Sequence, residues 1–314
     1  MEPRKIIKFG NSSHVITIPQ EWLESNNLQK GDSLNVVEKP ESLLVTLQTK
    51  KEEKRAMLSI DNKPLKLFNK ELLSYYLKNY RIIEIYGKNI HERLDEITRF
   101  KEKISSVEIT EITKEKIVLR DLTSPHELNL NQLIGEIVDM QNLFFEKLCQ
   151  ENIKENYSFL IQLDKNINKL TFLSHKSINY NLESLEDITK VKGAIHYWRI
   201  TSNLEEQGDI LKRIARYLKN ESNEHNHFIA GTIKKIKEYF NFITELLDIE
   251  DQKEFDKNLE IYLDKKQTLL REIEELRGKL LDDLNLFLVI SQLFKDILGK
   301  LDSVILSIID LKLK

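Results

Sequence analysis

The chain has 314 residues, of which 40% are hydrophobic and 32% charged, and its formal net charge is -3. This length predicts two or three domains, and the balanced charge excludes a chain that is basic throughout, so nucleic-acid binding would need a local patch. We find no apolar leader after Met1 and no run of about 18 apolar residues, and Cys149 is the only cysteine. We therefore expect a cytoplasmic protein without membrane insertion.

Proline divides the chain into two parts. All five prolines fall in the first 125 residues, and Leu, Ile, Lys and Glu dominate the rest. Because proline interrupts helices, the second part is predicted to be helical. We expect a β-rich module over residues 1–50, a small α/β connector over 51–125 and an all-α domain over 126–314.

The β-rich module shows alternating apolar residues on either side of a turn. Ile7 and Phe9 precede the turn at residues 10–13, and Val15 to Ile18 follow it. This pattern predicts a β-hairpin. A short helix is expected after Pro19, followed by strands at 33–37 and 43–47.

The same residues resemble the AbrB/SpoVT family of swapped-hairpin DNA-binding domains. The segments that carry the resemblance are Arg4-Lys5-Ile6, Gly10-Asn11-Ser12, Val15 to Pro19, Trp22, and Leu28 followed by Gly31 to Leu34. The resemblance implies an obligate homodimer in which hairpins of two chains interleave into one small barrel. A module this short also has little core of its own, which favours dimerisation.

The family presents basic residues of the first strand and the following loop to double-stranded DNA. The matching positions here are Arg4, Lys5, Lys8, Asn11, Ser12, Ser13 and His14. Such side chains can bond phosphate or base edges. The alternative is that these charges only solubilise an edge and the module serves dimerisation alone. The acidic residues of the module offset most of its positive charge, which argues against tight binding; they include Glu21, Glu24, Asp32 and Glu38.

Residues 51–125 alternate between strand and helix patterns. We predict strands at 57–60, 81–86, 107–113 and 116–122, and helices at 69–79, with Asn69 as N-cap, and at 91–100. No glycine-rich loop, nucleophile elbow or metal-ligand spacing is present in this segment. We interpret it as a small α/β connector without chemistry of its own.

The remaining chain predicts six long helices. Their expected ranges are 127–154, 156–180, 189–219, 227–247, 252–280 and 283–312. Helices of this length without sustained heptads favour two three-helix bundles, at about 126–220 and 226–314. The spacing of the breaks indicates an internal repeat about one bundle long.

Glu205 and Asp209 lie four residues apart on the third of these helices, so both carboxylates project from one face. They can form a solvated acidic face. They can also bind a hard cation, because adjacent carboxylates repel each other unless a cation or proton intervenes. The preceding helix carries Asp164 and Asn168 at the same spacing.

This helical part resembles the PhoU family of phosphate-signalling regulators, and the best match is Leu204-Glu205-x-x-Gly208-Asp209 with Ile214-Ala215. The resemblance implies two bundles that each bind a metal cluster through carboxylate motifs. In the first bundle the implied ligands are Asp164, Asn168, Glu205 and Asp209. The ion would be Fe, Zn, Mg or Mn. An asparagine in place of one carboxylate weakens the set.

The second bundle departs further from the family pattern. Asp264 and Asp296 lie near the matching positions, but Thr268 replaces a carboxylate and Lys300 adds a positive charge. We expect this site to be degenerate and poor in metal. His175 falls on the same helix face as Asp164 and is either an added nitrogen ligand or a histidine without a metal role.

An AbrB module joined to a PhoU module is an arrangement known among prokaryotic regulators, notably archaeal ones. It implies a dimeric transcriptional regulator of phosphate uptake or metabolism. A first alternative is an adaptor that restrains a phosphate transporter or its sensor kinase, with the N-terminal module only dimerising. A second is a metal-dependent hydrolase or oxidase. We expect no enzyme, because no residue stands out as a nucleophile or a tuned acid.

Overall fold

The computed structural model describes residues 3–11, 13–39, 42–47, 53–104, 106–150, 153–183 and 188–313. The chain divides into two compact units, Met1–Glu52 and Glu53–Lys314. We call them the N-terminal unit and the main unit. The domain boundaries expected from the sequence, after residues 50 and 125, stay predictions.

The N-terminal unit consists of two antiparallel hairpins and one short helix. Its elements are β1 (Ile7–Phe9), β2 (Ser13–Val15), α1 (Gln20–Ser25), β3 (Leu34–Lys39) and β4 (Ser42–Leu47). β1 pairs with β2 and β3 with β4, each as a separate two-stranded sheet. The turn after β1 contains Gly10 with φ +69°, a left-handed conformation that glycine adopts without steric cost.

The described residues of the N-terminal unit form no interior within a single copy. None of its residues whose side chains the structure describes is buried. The exposed apolar side chains include Phe9 at 69%, Val36 at 61% and Leu43 at 58%. Two isolated hairpins with their apolar side chains in water are marginal at best, so this unit depends on something that covers them.

The main unit begins with a four-stranded mixed sheet. The strands are β5 (Arg55–Ser59), β6 (Ile82–Tyr86), β7 (Val107–Ile112) and β8 (Lys116–Asp121), in the order β5-β6-β8-β7. β5 and β6 are parallel, and the other neighbours are antiparallel. Helices α2 (Leu65–Leu77) and α3 (Leu94–Lys103) share a core with the sheet that includes Phe68, Leu72 and Ile97.

The predicted start of α2 at Asn69 is wrong. The helix begins four residues earlier, directly after Pro64, which occupies the N-cap. A proline has no N–H to leave unsatisfied and its fixed φ suits a helix start. The predicted helix at 91–100 is split into a short 3-10 helix, Ile90–Arg93, and α3.

Six long helices follow, close to the predicted ranges. They are α4 (Leu130–Leu148), α5 (Ile153–Glu183), α6 (Ile188–Leu218), α7 (Asn223–Glu245), α8 (Gln252–Lys279) and α9 (Leu284–Lys312). The starts of α8 and α9 are fixed by side-chain caps, since Asp251 accepts from the N–H of Glu254 at 2.8 Å and Asp283 from that of Leu286 at 2.8 Å.

The six helices share one hydrophobic core. α4, α5 and α6 pack on one another, as do α7, α8 and α9, while α6 also packs on α9 and α4 on α7. Buried residues of all six helices form one continuous cluster, and Cys149 lies partly buried against it. Among the described residues no helix has the length and apolar character needed to cross a membrane. A likeness to PhoU bundles in particular stays a prediction.

The sheet docks on α5 through a buried polar contact. The ammonium of Lys176 on α5 meets the carboxylate of Asp121 at the end of β8, and both side chains are almost fully buried. Asp121 also accepts from the hydroxyl of Ser106 at 3.0 Å and the N–H of Thr123 at 2.9 Å. Burial, followed by the charge of Arg81, lowers the pKa of Lys176 to about 7.

Candidate functional site

The first hairpin separates polar from apolar side chains. Lys8 on β1 is paired with His14 on β2, while Ile7 is paired with Val15 and Phe9 with Ser13. Successive side chains of a strand point to opposite faces. Lys8 and His14 therefore share one face, and Ile7, Phe9 and Val15 share the other.

Of the other residues expected to bind DNA, the structure describes all but Ser12. Arg4 and Lys5 are exposed in the segment that leads into β1, and Asn11 is exposed in the turn. Ser13 lies on the apolar face opposite Phe9, because the strand register places it there. Ser12 falls outside the described residues. The structure thus groups Lys8 with His14 and separates Ser13 from them.

Two acidic side chains of the N-terminal unit form hydrogen bonds, and both follow the first hairpin in the chain. Glu24 on α1 accepts from the Gln20 amide at 2.7 Å. Asp32 accepts from the N–H of Gln29 at 2.6 Å, in the turn that leads toward β3. Their negative charges are thus placed on segments other than the strand that carries Lys8.

A second candidate site lies between α5 and α6, where an ammonium bridges two carboxylates. The Nζ of Lys212 is 2.9 Å from both Oδ1 and Oδ2 of Asp164 on α5. It is also 2.5 Å from Oδ1 of Asp209, which precedes it by three residues on α6. Burial acts to lower the pKa of Lys212, but the contacts with Asp209 and Asp164 outweigh it and raise that pKa. Lys212 was not among the site residues expected from the sequence.

The third carboxylate of this group, Glu205, is partly buried and faces its neighbours without a partner. Within the described residues it forms no hydrogen bond or ion pair. Burial, followed by the charges of Asp209 and Asp164, raises the pKa of Glu205 to about 7. Burial also raises the pKa of Asp164, although Lys212 opposes the shift.

Asn168 and His175 do not complete a ligand set with these carboxylates. Asn168 lines a groove of about 750 Å³ beside Asp164 and Glu205 and has no hydrogen bond among the described residues. The His175 ring stacks on Trp198 with a centroid separation of 3.8 Å. Burial lowers the pKa of His175 to about 4, so the ring is neutral near pH 7. His175 is therefore a packed histidine.

The carboxylates do not fit an open metal site. A metal ion that joined α5 to α6 through Asp164 and Asp209 would need the position that the Lys212 ammonium holds. Across the described ranges no group of three or more His, Cys, Asp and Glu side chains is arranged to hold a metal ion. Metal binding by Asp164, Asn168, Glu205 and Asp209 stays a prediction that this geometry does not support.

The two aspartates expected near the second site lie in different surroundings. Asp264 is exposed on α8. Asp296 on α9 lines a groove between α6 and α9 and accepts from the Gln292 amide at 2.7 Å. Ion pairs of Lys266 with Asp302 and of Lys295 with Glu274 join α8 to α9 instead. Neither Lys212 nor Lys266 was singled out from the sequence, although the three-residue spacing of Asp209 and Lys212 was visible there.

Comparison with known proteins finds one family. Residues 7–55 match the family described as antidote-toxin recognition MazE, a bacterial antitoxin. The match supports the swapped-hairpin assignment. It favours a DNA-binding or antitoxin-type regulator, and it covers the N-terminal part of the chain alone. No curated protein and no solved structure matches the chain.

Proposed function

We propose that this chain is a dimeric transcriptional regulator whose N-terminal units from two copies form one DNA-binding module. The observation that carries the proposal is the first hairpin, which has Lys8 and His14 on one face and Ile7, Phe9 and Val15 on the other. The family match over residues 7–55 supports the same assignment.

The dimer follows from the exposed apolar side chains of the two hairpins. Phe9, Val36 and Leu43 are each more than half exposed in one copy. Burying a large apolar side chain contributes about 1.5–3 kcal/mol, and a two-fold axis brings each such residue into the interface twice. A second copy of the same unit can therefore supply the interior that one copy lacks.

DNA binding follows from the polar face. Once the apolar face is covered, Lys8 and His14 remain outside, near Arg4 and Lys5 in sequence. The dimer doubles this patch and can contact phosphates on both sides of a two-fold axis. With a chain net charge of -3, little electrostatic attraction comes from the rest of the protein.

For the main unit we propose a sensory role in phosphate uptake or metabolism, without enzymatic activity. Its support is the PhoU-like pattern at Glu205 and Asp209 and the packing of six long helices. Lys212 engages Asp164 and Asp209, which disfavours acid–base catalysis by these two carboxylates. An adaptor role toward a transporter or sensor kinase is the alternative for this unit.

Salt-dependent DNA binding tests the proposal. We expect promoter-selective binding by fluorescence anisotropy, with an affinity that falls steeply as salt increases. The double substitution Lys5→Gln and Lys8→Gln is expected to weaken binding roughly tenfold or more and to reduce the salt slope by about one for each phosphate that is no longer neutralised. Lys30→Gln is the control, since Lys30 is an exposed lysine of the same unit in the turn after α1. Weak binding without preference for a DNA sequence, equal in the double variant and in Lys30→Gln, would contradict a role as a regulator.

An antitoxin role is a second candidate, favoured by the description of the matched family. It predicts that loss of the chain arrests growth and that deletion of a toxin gene restores it. A regulator predicts altered transcription without such arrest. Deleting the gene and measuring both growth and transcripts separates the two roles.

A further inference from the structure

The Lys212 ammonium has its hydrogen-bonding capacity filled. It carries three N–H donors and faces three carboxylate oxygens, two from Asp164 and one from Asp209. The side chain of Asp164 is 9% exposed and that of Lys212 is 21% exposed. The side chain of Asp209 is 50% exposed, so this ion-pair triad between two helices is enclosed at Asp164 and open to water at Asp209.

The positive charge of Lys212 offsets the repulsion between the carboxylates of Asp164 and Asp209. Two partly buried carboxylates on facing helices destabilise the packing unless a cation lies between them. The ammonium supplies that charge from within the chain. Because α5 and α6 form one of the most extensive helix contacts of the main unit, the triad lies at a position that matters for its fold.

We infer that Lys212 takes the position of a bridging metal ion, so that the main unit is held together at this point without a metal. The inference does not depend on DNA binding. The Lys266–Asp302 ion pair joins α8 to α9 in the second group of three helices, with one carboxylate in place of two. In both places a lysine of one helix reaches an aspartate of its neighbour.

A gain-of-binding experiment tests the inference. The purified full chain is incubated with Mn²⁺, passed through a desalting column and analysed for bound metal. Wild type is expected to retain none, and its melting temperature is expected to be the same with Mn²⁺ and with EDTA. Lys212→Ala removes the ammonium and leaves the carboxylates of Asp164 and Asp209 without a cation between them, with Glu205 one turn from Asp209 on α6, so this variant is expected to retain Mn²⁺.

The stability of the same variants gives a second readout. Lys212→Ala is expected to melt below wild type and to recover part of the difference in Mn²⁺, because a ligand that binds only the folded state stabilises it. Lys212→Gln, which keeps most of the side-chain volume, guards against a variant that does not fold. Lys165→Ala is the matched control, since Lys165 is an exposed lysine next to Asp164.

Two results would overturn the inference. One is stoichiometric metal in wild type, with a lower melting temperature after EDTA. The other is failure of the folded Lys212 variants to retain more Mn²⁺ than Lys165→Ala. Neither result bears on the DNA-binding proposal, which is tested by the lysines of the N-terminal unit.

Discussion

The N-terminal unit and the main unit differ in how far their apolar side chains are buried within one chain. In the main unit two clusters of apolar residues are closed off from water within one chain, and even a lysine such as Lys176 finds a buried partner. In the N-terminal unit no described side chain is buried, and Phe9 and Val36 are exposed. The main unit thus has its apolar core within one chain, whereas the N-terminal unit exposes apolar side chains that the proposed dimer covers.

The largest effect is expected from a cavity in the main unit. Phe294 on α9 is fully buried, and Phe294→Ala is expected to lower the free energy of unfolding by about 3–5 kcal/mol, because apolar burial is removed and a cavity is left behind. Urea denaturation measures the change. Self-association should be unchanged, and a cost below about 1 kcal/mol would show that the helical core is not packed as described.

A comparable but smaller destabilisation is expected at the buried ion pair of the sheet. Asp121→Ala leaves the Lys176 ammonium buried without its counter-charge, at an expected cost of about 3 kcal/mol. Lys235→Ala provides the contrast, because the Lys235 side chain is 52% exposed in its pair with Glu272 and such a pair is worth about 1 kcal/mol or less. Equal urea midpoints for the two variants would mean that the Asp121 pair is not buried.

A substitution in the N-terminal unit is expected to change the dissociation constant of the dimer and to leave the stability of the main unit unchanged. Phe9→Ala should weaken the dimer by at least about 2 kcal/mol, roughly 30-fold or more in dissociation constant, because two aromatic rings, one from each copy, no longer leave water on association. Sedimentation equilibrium measures this change. The unfolding midpoint of the main unit should not change. An unchanged dissociation constant would mean that the dimer interface does not include Phe9.

The smallest effect is a pH dependence at His225. Burial acts to lower the pKa of His225, but contacts with Asp282, at 3.0 Å, and with Glu221 outweigh it and raise that pKa in the folded state. A raised pKa contributes stability that is fully present below the unfolded value of about 6.5 and is lost as pH rises through the folded value.

Asp282→Asn is therefore expected to lower the melting temperature by roughly 1–2 °C at about pH 5.5 and to leave it unchanged at about pH 9. Asp248→Asn is the control, because Asp248 is not among the groups that raise the pKa of His225. A shift of the same size at both pH values would show that the Asp282 contact does not act through the charge of His225.

The sequence predicted the local features of the fold and missed how distant segments meet. The six long helices could be placed because proline is absent beyond residue 125 and the apolar residues recur at helical spacing. The start of α2 was misplaced because Pro64 competes with Asn69 as a helix-start signal. The meeting of Lys176 with Asp121 depends on how the sheet docks on α5, which no local pattern encodes.

The candidate site was predicted only in part, because sequence patterns encode local spacing and not how two helices face each other. The spacing of Glu205 and Asp209 placed both on one face of α6, and Asp164 was paired with them through the family resemblance. That Lys212 would lie between Asp164 and Asp209 depends on the rotation of α6 against α5, and sequence periodicity does not fix that rotation.

The central claim, that the chain is a DNA-binding regulator that responds to phosphate, is tested most directly by mapping the DNA it occupies across the genome at high and low phosphate. The account predicts discrete promoter sites near phosphate-uptake genes, an occupancy that changes with phosphate, and loss of the sites in the Lys5→Gln, Lys8→Gln variant. Occupancy that is absent, or diffuse and the same under both conditions, would contradict it.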